Sequence, residues 1–409
     1  MADDATEHGA PTRREYVKYG GAVVGGGLLA GCVGQSDGGD TPEATSNETE
    51  AETETTTEDT SYEACIEPVG CQTFEEVPET YLVYNGGWAD MAFALGQRDG
   101  FITAGNMIPA FLFEPFDLDV PAEDELPPLR SEGKGWDKEL FFEYDPDVIL
   151  MSSEYMHGVG WYDNWDESDT EEIADEVAPF FGNNMRRRRE FHDHELYSLY
   201  EGLERLAVLF QEEERYEAMA AVHDELQSEI QSRLPPEDER PEVALVNGGS
   251  EPAKGTFYPM NTQDEGYEMK PYRDLDVESA FSEDIVEGGE ADYETLLEVD
   301  PAIIMVHWGI GNTGDTDSFS AEAFREQYVA PMEDDSVGSQ LTAVQEGNVY
   351  PGQYGEQGPL VNLLQTEMVA QQLYPEEFGA FAPEEFPDVP EDRRLFDRQR
   401  VRDIITGDI

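Results

Sequence analysis

Two stretches of this sequence match each other on either side of one long helical segment, and that duplication constrains the fold more than any other feature. The first opens Tyr81-Leu82-Val83-Tyr84-Asn85-Gly86-Gly87 and the second Val243-Ala244-Leu245-Val246-Asn247-Gly248-Gly249, each an apolar run that leaves through Asn-Gly-Gly. Further on, Glu139-Leu140-Phe141-Phe142-Glu143-Tyr144-Asp145-Pro146 aligns with Glu294-Thr295-Leu296-Leu297-Glu298-Val299-Asp300-Pro301. Glu139, Glu143, Asp145 and Pro146 all recur at one offset of 155 residues (294 − 139). Each block reads as an amphipathic helix closed by Asp-Pro and followed by a buried strand, Val148 onward or Ile303 onward. Two matches in the same order predict a pair of equivalent lobes.

Between the matching stretches, from Glu195 to Leu234, the residues Leu196, Leu199, Leu203, Leu206, Phe210, Tyr216, Met219 and Leu226 fall at helical spacing, and Pro235-Pro236 stops the pattern. This predicts one linking helix over 195–236. From about Phe74 to Phe378 short apolar runs alternate with amphipathic stretches, the pattern of an α/β protein. Strands are expected at Tyr81–Tyr84, Phe101–Ala104, Val148–Met151, Val243–Val246, Ile303–His307 and Asn348–Tyr350. The fold class that follows is α/β, with two Rossmann-like lobes joined by one long helix and a ligand cleft between them.

The N-terminus carries an export pattern. Arg13-Arg14 precedes a short, Gly-rich, weakly apolar stretch from Tyr19 to Ala30, which suits a twin-arginine signal. It is too short for a hydrocarbon core of about 30 Å. It ends in Leu29-Ala30-Gly31-Cys32, a lipobox in which Cys32 receives the lipid. Residues 1–31 are then a signal peptide. Residues 32–73 follow as an acidic tether, since Val33 to Thr60 is nearly all Gly, Ser, Thr, Asp and Glu and cannot bury enough apolar surface to offset its ordering entropy. An N-terminal lobe is expected over 74–194 and a C-terminal lobe with its tail over 237–409. Cys65 and Cys71, six apart, are either a small loop-closing disulfide or two free thiols.

The chain has 92 acidic against 24 basic residues, a formal charge of −68, and five lysines. Such a surface repels nucleic acid, which is excluded as a general partner. Acid excess with lysine depletion resembles the surfaces of proteins from salt-loving archaea, where carboxylates keep a protein hydrated. In molar salt the screening length is about 3 Å, so a charged ligand must be held by direct contact.

Two α/β lobes joined by a long helix, behind a lipobox and tether, resemble the helix-linked class of solute-binding proteins that feed ABC importers, over roughly residues 74–405. Gly87 to Gly96 looks like that family's first strand-to-helix segment, Asp145-Pro146-Asp147-Val148-Ile149-Leu150 like its proline-aspartate-strand signature, Glu346 to Tyr350 like its penultimate strand and Leu373 to Phe378 like its closing helix. The branch most resembled binds ferric siderophores or cobalamin. The resemblance implies no catalytic residues and no resident cofactor beyond the lipid, an Fe(III) chelate as ligand, a permease dimer as partner and a lipid anchor at the outer face of the cytoplasmic membrane.

In open α/β lobes ligands meet the loops beyond the carboxyl ends of the strands. Those exits carry Trp88, His157, Arg186, Arg187, His307, Trp308 and Tyr354, the expected ligand-binding set. Arg186-Arg187-Arg188-Arg189 stands out in a chain that avoids basic residues. Guanidinium forks suit carboxylate or catecholate oxygens of an anionic chelate, or they neutralise the acidic stretch Glu190 to Glu195. His307-Trp308 reads as a cleft wall or as a satisfied buried histidine. Bare-metal binding through His192, Asp193, His194 and His307 is a weaker alternative, because i and i+2 residues point apart on a helix. So are a sensory or adhesive lipoprotein, and a hydrolase using Glu154, His157, Asp163 and Asp166 beside Trp161 and Trp165. Glu139 and Glu294, at equivalent places in the two lobes, are the expected permease-docking residues, as the family resemblance implies.

Overall fold

Residues 60–122, 125–131, 135–158, 165–311 and 318–409 are described by a computed structural model. The paired arginines, Cys32 and residues 32–59 of the expected tether lie outside them, as do Trp161 and Asp163. Folded structure begins earlier than the sequence suggested. A hairpin, β1 (Tyr62–Ile66) and β2 (Gly70–Phe74), sets Cys65 opposite Cys71, and the two are joined by a disulfide. Ala64, Ile66 and Phe74 face inward, and the Tyr62 hydroxyl donates to the Leu209 carbonyl. Residues 62–74, most of which were expected to be tether, are therefore part of the folded structure.

The N-terminal sheet contains β3 (Tyr81–Val83), β4 (Phe101–Ala104) and, after a short pair β5 (Arg130–Ser131) and β6 (Gly135–Trp136), β7 (Val148–Leu150). Its order is β4-β3-β7, all parallel, with Phe180 bridged to Ile149 at the edge. The second sheet contains β8 (Glu242–Asn247), β9 (Pro259–Met260), β10 (Glu278–Ser279), β11 (Ile303–His307) and β12 (Val349–Pro351). It runs β10-β8-β11-β12 in parallel, with β9 antiparallel on β8. The six expected strands are all present, the last shifted by one residue.

Side-chain alternation along each strand builds three apolar clusters. Tyr81 and Val83 join Val243, Leu245 and Met305 in one core shared by both sheets. Leu82 and Ile149 cover the outer face of the first sheet, and Ala244, Val246, Ile304 and Val306 that of the second. Helix Pro359–Leu373, buried along its whole length, lies in the shared core. The repeat is structural. Helices Lys138–Tyr144 and Tyr293–Val299 start on aspartate caps, Asp137 and Asp292, and end on Asp145 and Asp300 in the left-handed region at φ 41° and 42°. Asn85 and Asn247 close the same turn, accepting from the backbone N–H of Gly87 and Gly249 at 3.1 and 2.8 Å.

The linking segment is not one helix. Residues 195–197 are irregular, Ser198 caps helix Leu199–Phe210 with a box to Glu201, and Gln211 ends it at φ 55° before a second helix, Glu213–Arg233. Leu203, Leu206, Met219, Val222 and Leu226 all pack into the shared core, so the apolar stripe runs through the break. Among the described residues no helix is long and apolar enough to cross a membrane.

Candidate functional site at the meeting of the two sheets

The backbone itself ties the lobes together. Tyr267 N–H donates to the Met185 carbonyl and Glu268 N–H to that of Arg186, at 2.9 and 3.1 Å. Gly266 makes this possible: its φ is 105°, and a Cβ there would lie 2.3 Å from the Arg186 carbonyl oxygen. Gly87 plays a similar part, since a Cβ would lie 2.7 Å from the Tyr267 hydroxyl. The Tyr354 hydroxyl reaches back across to the Met107 carbonyl at 2.6 Å.

Around this junction lies a buried ionic cluster. Arg186 donates to Glu268 at 2.9 Å and to Glu356 at 3.0 Å, and Arg187 Nε lies 2.7 Å from the second oxygen of Glu268. Glu356 also accepts from Asn106 at 2.7 Å and from Gly86 N–H at 3.3 Å. His307, at the carboxyl end of β11, is fully buried with Nε2 3.0 Å from Glu268. Trp308 follows in the left-handed region at φ 69°, an uncommon backbone for so bulky a residue, held by its N–H to the Gln353 carbonyl at 2.7 Å. Its ring carries the Arg186 guanidinium 4.9 Å from its centroid and meets Tyr354 edge-on at 4.7 Å.

Burial would raise the Glu268 carboxyl, but Arg186, His307 and Arg187 together hold it well below the usual carboxylate range. Glu356 has a single arginine, and there burial wins: its carboxyl is pushed up against the pull of Arg186, Asn106 and Gly86 N–H. Burial likewise pushes His307 down, more strongly than Glu268 raises it. The imidazole is then neutral and donates Nε2–H to Glu268. Two arginines against two glutamates leave the cluster formally balanced.

Of the expected binding residues, Arg186, Arg187, His307, Trp308 and Tyr354 converge here. Trp88 does not: its side chain is packed in the shared core, on the helix Gly86–Ala94. His157 does not either. Its Nδ1 pairs with Thr170 at 3.3 Å, and it lines a separate groove of about 530 Å³ with Pro68, Gln72, Glu167 and Phe180. Among the described residues Arg186, Arg187 and Arg188 pair with carboxylates outside the stretch Glu190 to Glu195. The carboxylate partners of Arg186, Arg187 and Arg188 are Glu268, Glu356 and, at 3.0 Å, Glu265, all beyond the linking helices, while Arg188 also donates to the His194 carbonyl at 2.8 Å. His192 and His194 are not on a helix, and their rings lie 5.1 Å apart. Asp166, offered as a hydrolytic carboxylate, caps helix Glu167–Glu176, and the Trp165 indole donates to Thr170 at 2.9 Å.

Sequence reasoning missed Glu268, Glu356, Asn106 and Asp90. Asp90 is buried and accepts from the N–H groups of Gly358, Leu360 and Val361 at 2.8 to 3.0 Å, so that it caps helix Pro359–Leu373 from the opposite lobe. Burial pushes its carboxyl up to about 7 against those three donors.

Parallel sheets meeting at their carboxyl ends, with charged loops between them, define a binding protein, and the comparisons agree. The profile of the periplasmic binding protein family matches residues 112–353, more than half of the chain, and the chain belongs to that family. A periplasmic binding protein from Veillonella parvula has a similar structure, with a TM-score of 0.54 and 15% identity, over 77% of this chain and 97% of the other. So has the iron uptake ABC transporter substrate-binding protein PiuA from Streptococcus pneumoniae, with a TM-score of 0.51 and 17% identity, over 76% and 98%. CeuE of Helicobacter pylori with Ni(II) bound gives 0.52 and 13%, over 78% and 90%. No curated protein sequence matches the chain significantly. Family membership implies an extracytoplasmic location, a permease partner and a small-molecule ligand.

Proposed function

We propose that this protein is the solute-binding lipoprotein of an ABC importer, capturing a ferric siderophore and delivering it to the permease. Twin-arginine export and a lipid on Cys32 tether it to the membrane through the acidic segment. The observation that carries the reading is convergence. Arg186, Arg187, His307, Trp308 and Tyr354, from separate loops, meet where two parallel sheets end, and Trp308 offers an aromatic face beside two guanidiniums. That combination suits the anionic oxygens and flat apolar parts of an iron chelate. It is also consistent with the similarity to PiuA, an iron uptake ABC transporter substrate-binding protein.

Because the guanidiniums are already balanced, the ligand must take one over from a carboxylate. Arg187 is the accessible one, its side chain 33% exposed against 11% for Arg186. Anionic donors of the chelate would replace Glu268 at Arg187. Titrating ferric catecholates and hydroxamates by tryptophan quenching at molar salt tests this. Arg187→Ala should lose about 2 kcal/mol of affinity and Glu268→Gln should gain affinity. Equal affinity in all three proteins would refute the site.

Docking is assigned to Glu139 and Glu294. Both are exposed in the first turns of the matching helices. The same helices carry the pair Phe142 and Leu297, 46% and 36% exposed and again 155 apart (297 − 142). A glutamate beside a bare apolar side chain, repeated once per lobe, suits a partner that is itself a two-fold dimer.

A further inference from the structure

Away from the arginine cluster, an imidazole and two carboxylates of the N-terminal lobe meet without a hydrogen bond between them. Glu154 stands on the helix Ser153–Gly158, just past β7, and Asp193 and His194 lie in the irregular segment that follows the arginine run. One ligand atom from each can be chosen so that all three lie within 4.8 Å of one another. The His194 side chain is only 5% exposed, yet among the described residues neither ring nitrogen has a hydrogen-bond partner, and Glu154 Oε2 is likewise buried without a hydrogen bond. Leaving such groups unsatisfied costs about 1–3 kcal/mol each, so the arrangement calls for a partner.

The spacing says what kind. His194 Nδ1 and Glu154 Oε2 are 3.4 Å apart, longer than the roughly 2.9 Å of a good N–H···O bond. It is the edge of a tetrahedron whose metal–ligand bonds are about 2.1 Å, because edge and bond stand in the ratio of about 1.63. A buried imidazole nitrogen with two carboxylates selects a divalent transition cation over calcium or magnesium, which take all-oxygen shells. Exposed Asp193 supplies the open side through which the ion enters and a water completes the shell.

We propose that Glu154, Asp193 and His194 bind one zinc-like divalent cation that fixes the arginine run. The site lies wholly within one lobe, and His307 takes no part, being held by Glu268. The ion is a clamp and not the cargo: it ties the helix after β7 to the segment that begins four residues beyond Arg189. His192 stays outside the coordination set, with Nδ1 accepting from Arg189 N–H at 3.1 Å and Nε2 facing the Asn184 amide at 3.2 Å.

The test strips the full chain with a chelator and titrates zinc by calorimetry, with cobalt(II) absorption reporting tetrahedral geometry. Wild-type protein should bind one ion per chain. His194→Ala and Glu154→Gln should each weaken binding by more than about 100-fold, the upper end of what losing even an outer partner costs. His223→Ala, whose imidazole pairs with Lys270 and Asp224 elsewhere, should leave binding intact. No saturable binding, or equal binding in the His194→Ala protein, would overturn the assignment. Siderophore titrations on the same variants keep the two sites distinguishable, because chelate binding with no zinc would sink the clamp alone.

Discussion

Replacing Arg186 by methionine keeps the length of the side chain and removes its charge. In the intact cluster Arg186 contacts Glu268 at 2.9 Å and Glu356 at 3.0 Å. Each contact is worth about 5.5 kcal/mol of Coulomb energy at an effective dielectric constant of about 20, and most of that is offset by the cost of desolvating the ions. What survives the substitution is asymmetric. Glu268 keeps Arg187, whereas Glu356 loses its only cation among the described residues, and an unpaired buried charge costs about 3–5 kcal/mol. With about 2.1 cal/mol/K of unfolding entropy per residue over roughly 350 ordered residues, the midpoint should fall by about 4–7 °C. Adding Glu356→Gln should restore most of the loss, because the amide still accepts from Asn106 and Gly86. Molar salt should leave the loss unchanged, since Glu356 is 1% exposed and ions cannot reach it. The exposed pair Arg325 and Glu333, at 58% and 40%, serves as the contrast, worth at most about 1 kcal/mol and screened away in salt. Denaturation followed by circular dichroism at low and molar salt measures all of this. A single variant within about 0.5 kcal/mol of wild type, or a loss that salt abolishes, would refute the buried cluster.

Two further outcomes are expected. Asp90, with its carboxyl pushed up to about 7 from an ordinary value of 3.8, weakens the fold as pH rises between those values, because the unfolded chain gives up that proton first. The difference in stability between wild type and Asp90→Asn should therefore change from about pH 4 to about pH 7 and be flat above; a flat difference throughout would place the carboxyl at its ordinary value. Reversing Glu139 and Glu294 together to lysine should abolish uptake in cells while leaving ligand affinity untouched, and uptake at the wild-type level would sink the docking assignment.

The duplicated pattern carried the fold. Six strands and the two Asp-Pro helix ends were legible, since apolar runs and left-handed aspartate caps are local signals. The break at Gln211 was not, because both helices turn their apolar stripe to the same core and a left-handed glutamine lacks the signature that glycine would give. The hairpin from Tyr62 to Phe74 resembles tether in sequence because its outward side is polar and few of its residues are buried. At the site, the arginine run and His307-Trp308 were visible as departures from composition. Their counter-charges were not, for Glu268 and Glu356 are two among 92 acidic residues, and only the tertiary structure separates a buried carboxylate from a solvated one. Arginines in a chain with so few basic residues need anions, and Glu356 lies two residues beyond Tyr354 in an expected cleft loop, which is the signal that could have found it.

We propose that the junction between the sheets holds an iron chelate. Native mass spectrometry of the protein purified from its source at high salt tests it most directly. The account predicts a co-purifying species whose mass and isotope pattern fit a ferric siderophore, at one per chain, and its loss in the Arg187→Ala protein. A corrinoid or a bare cation in its place, or a chelate retained undiminished by that variant, would contradict it.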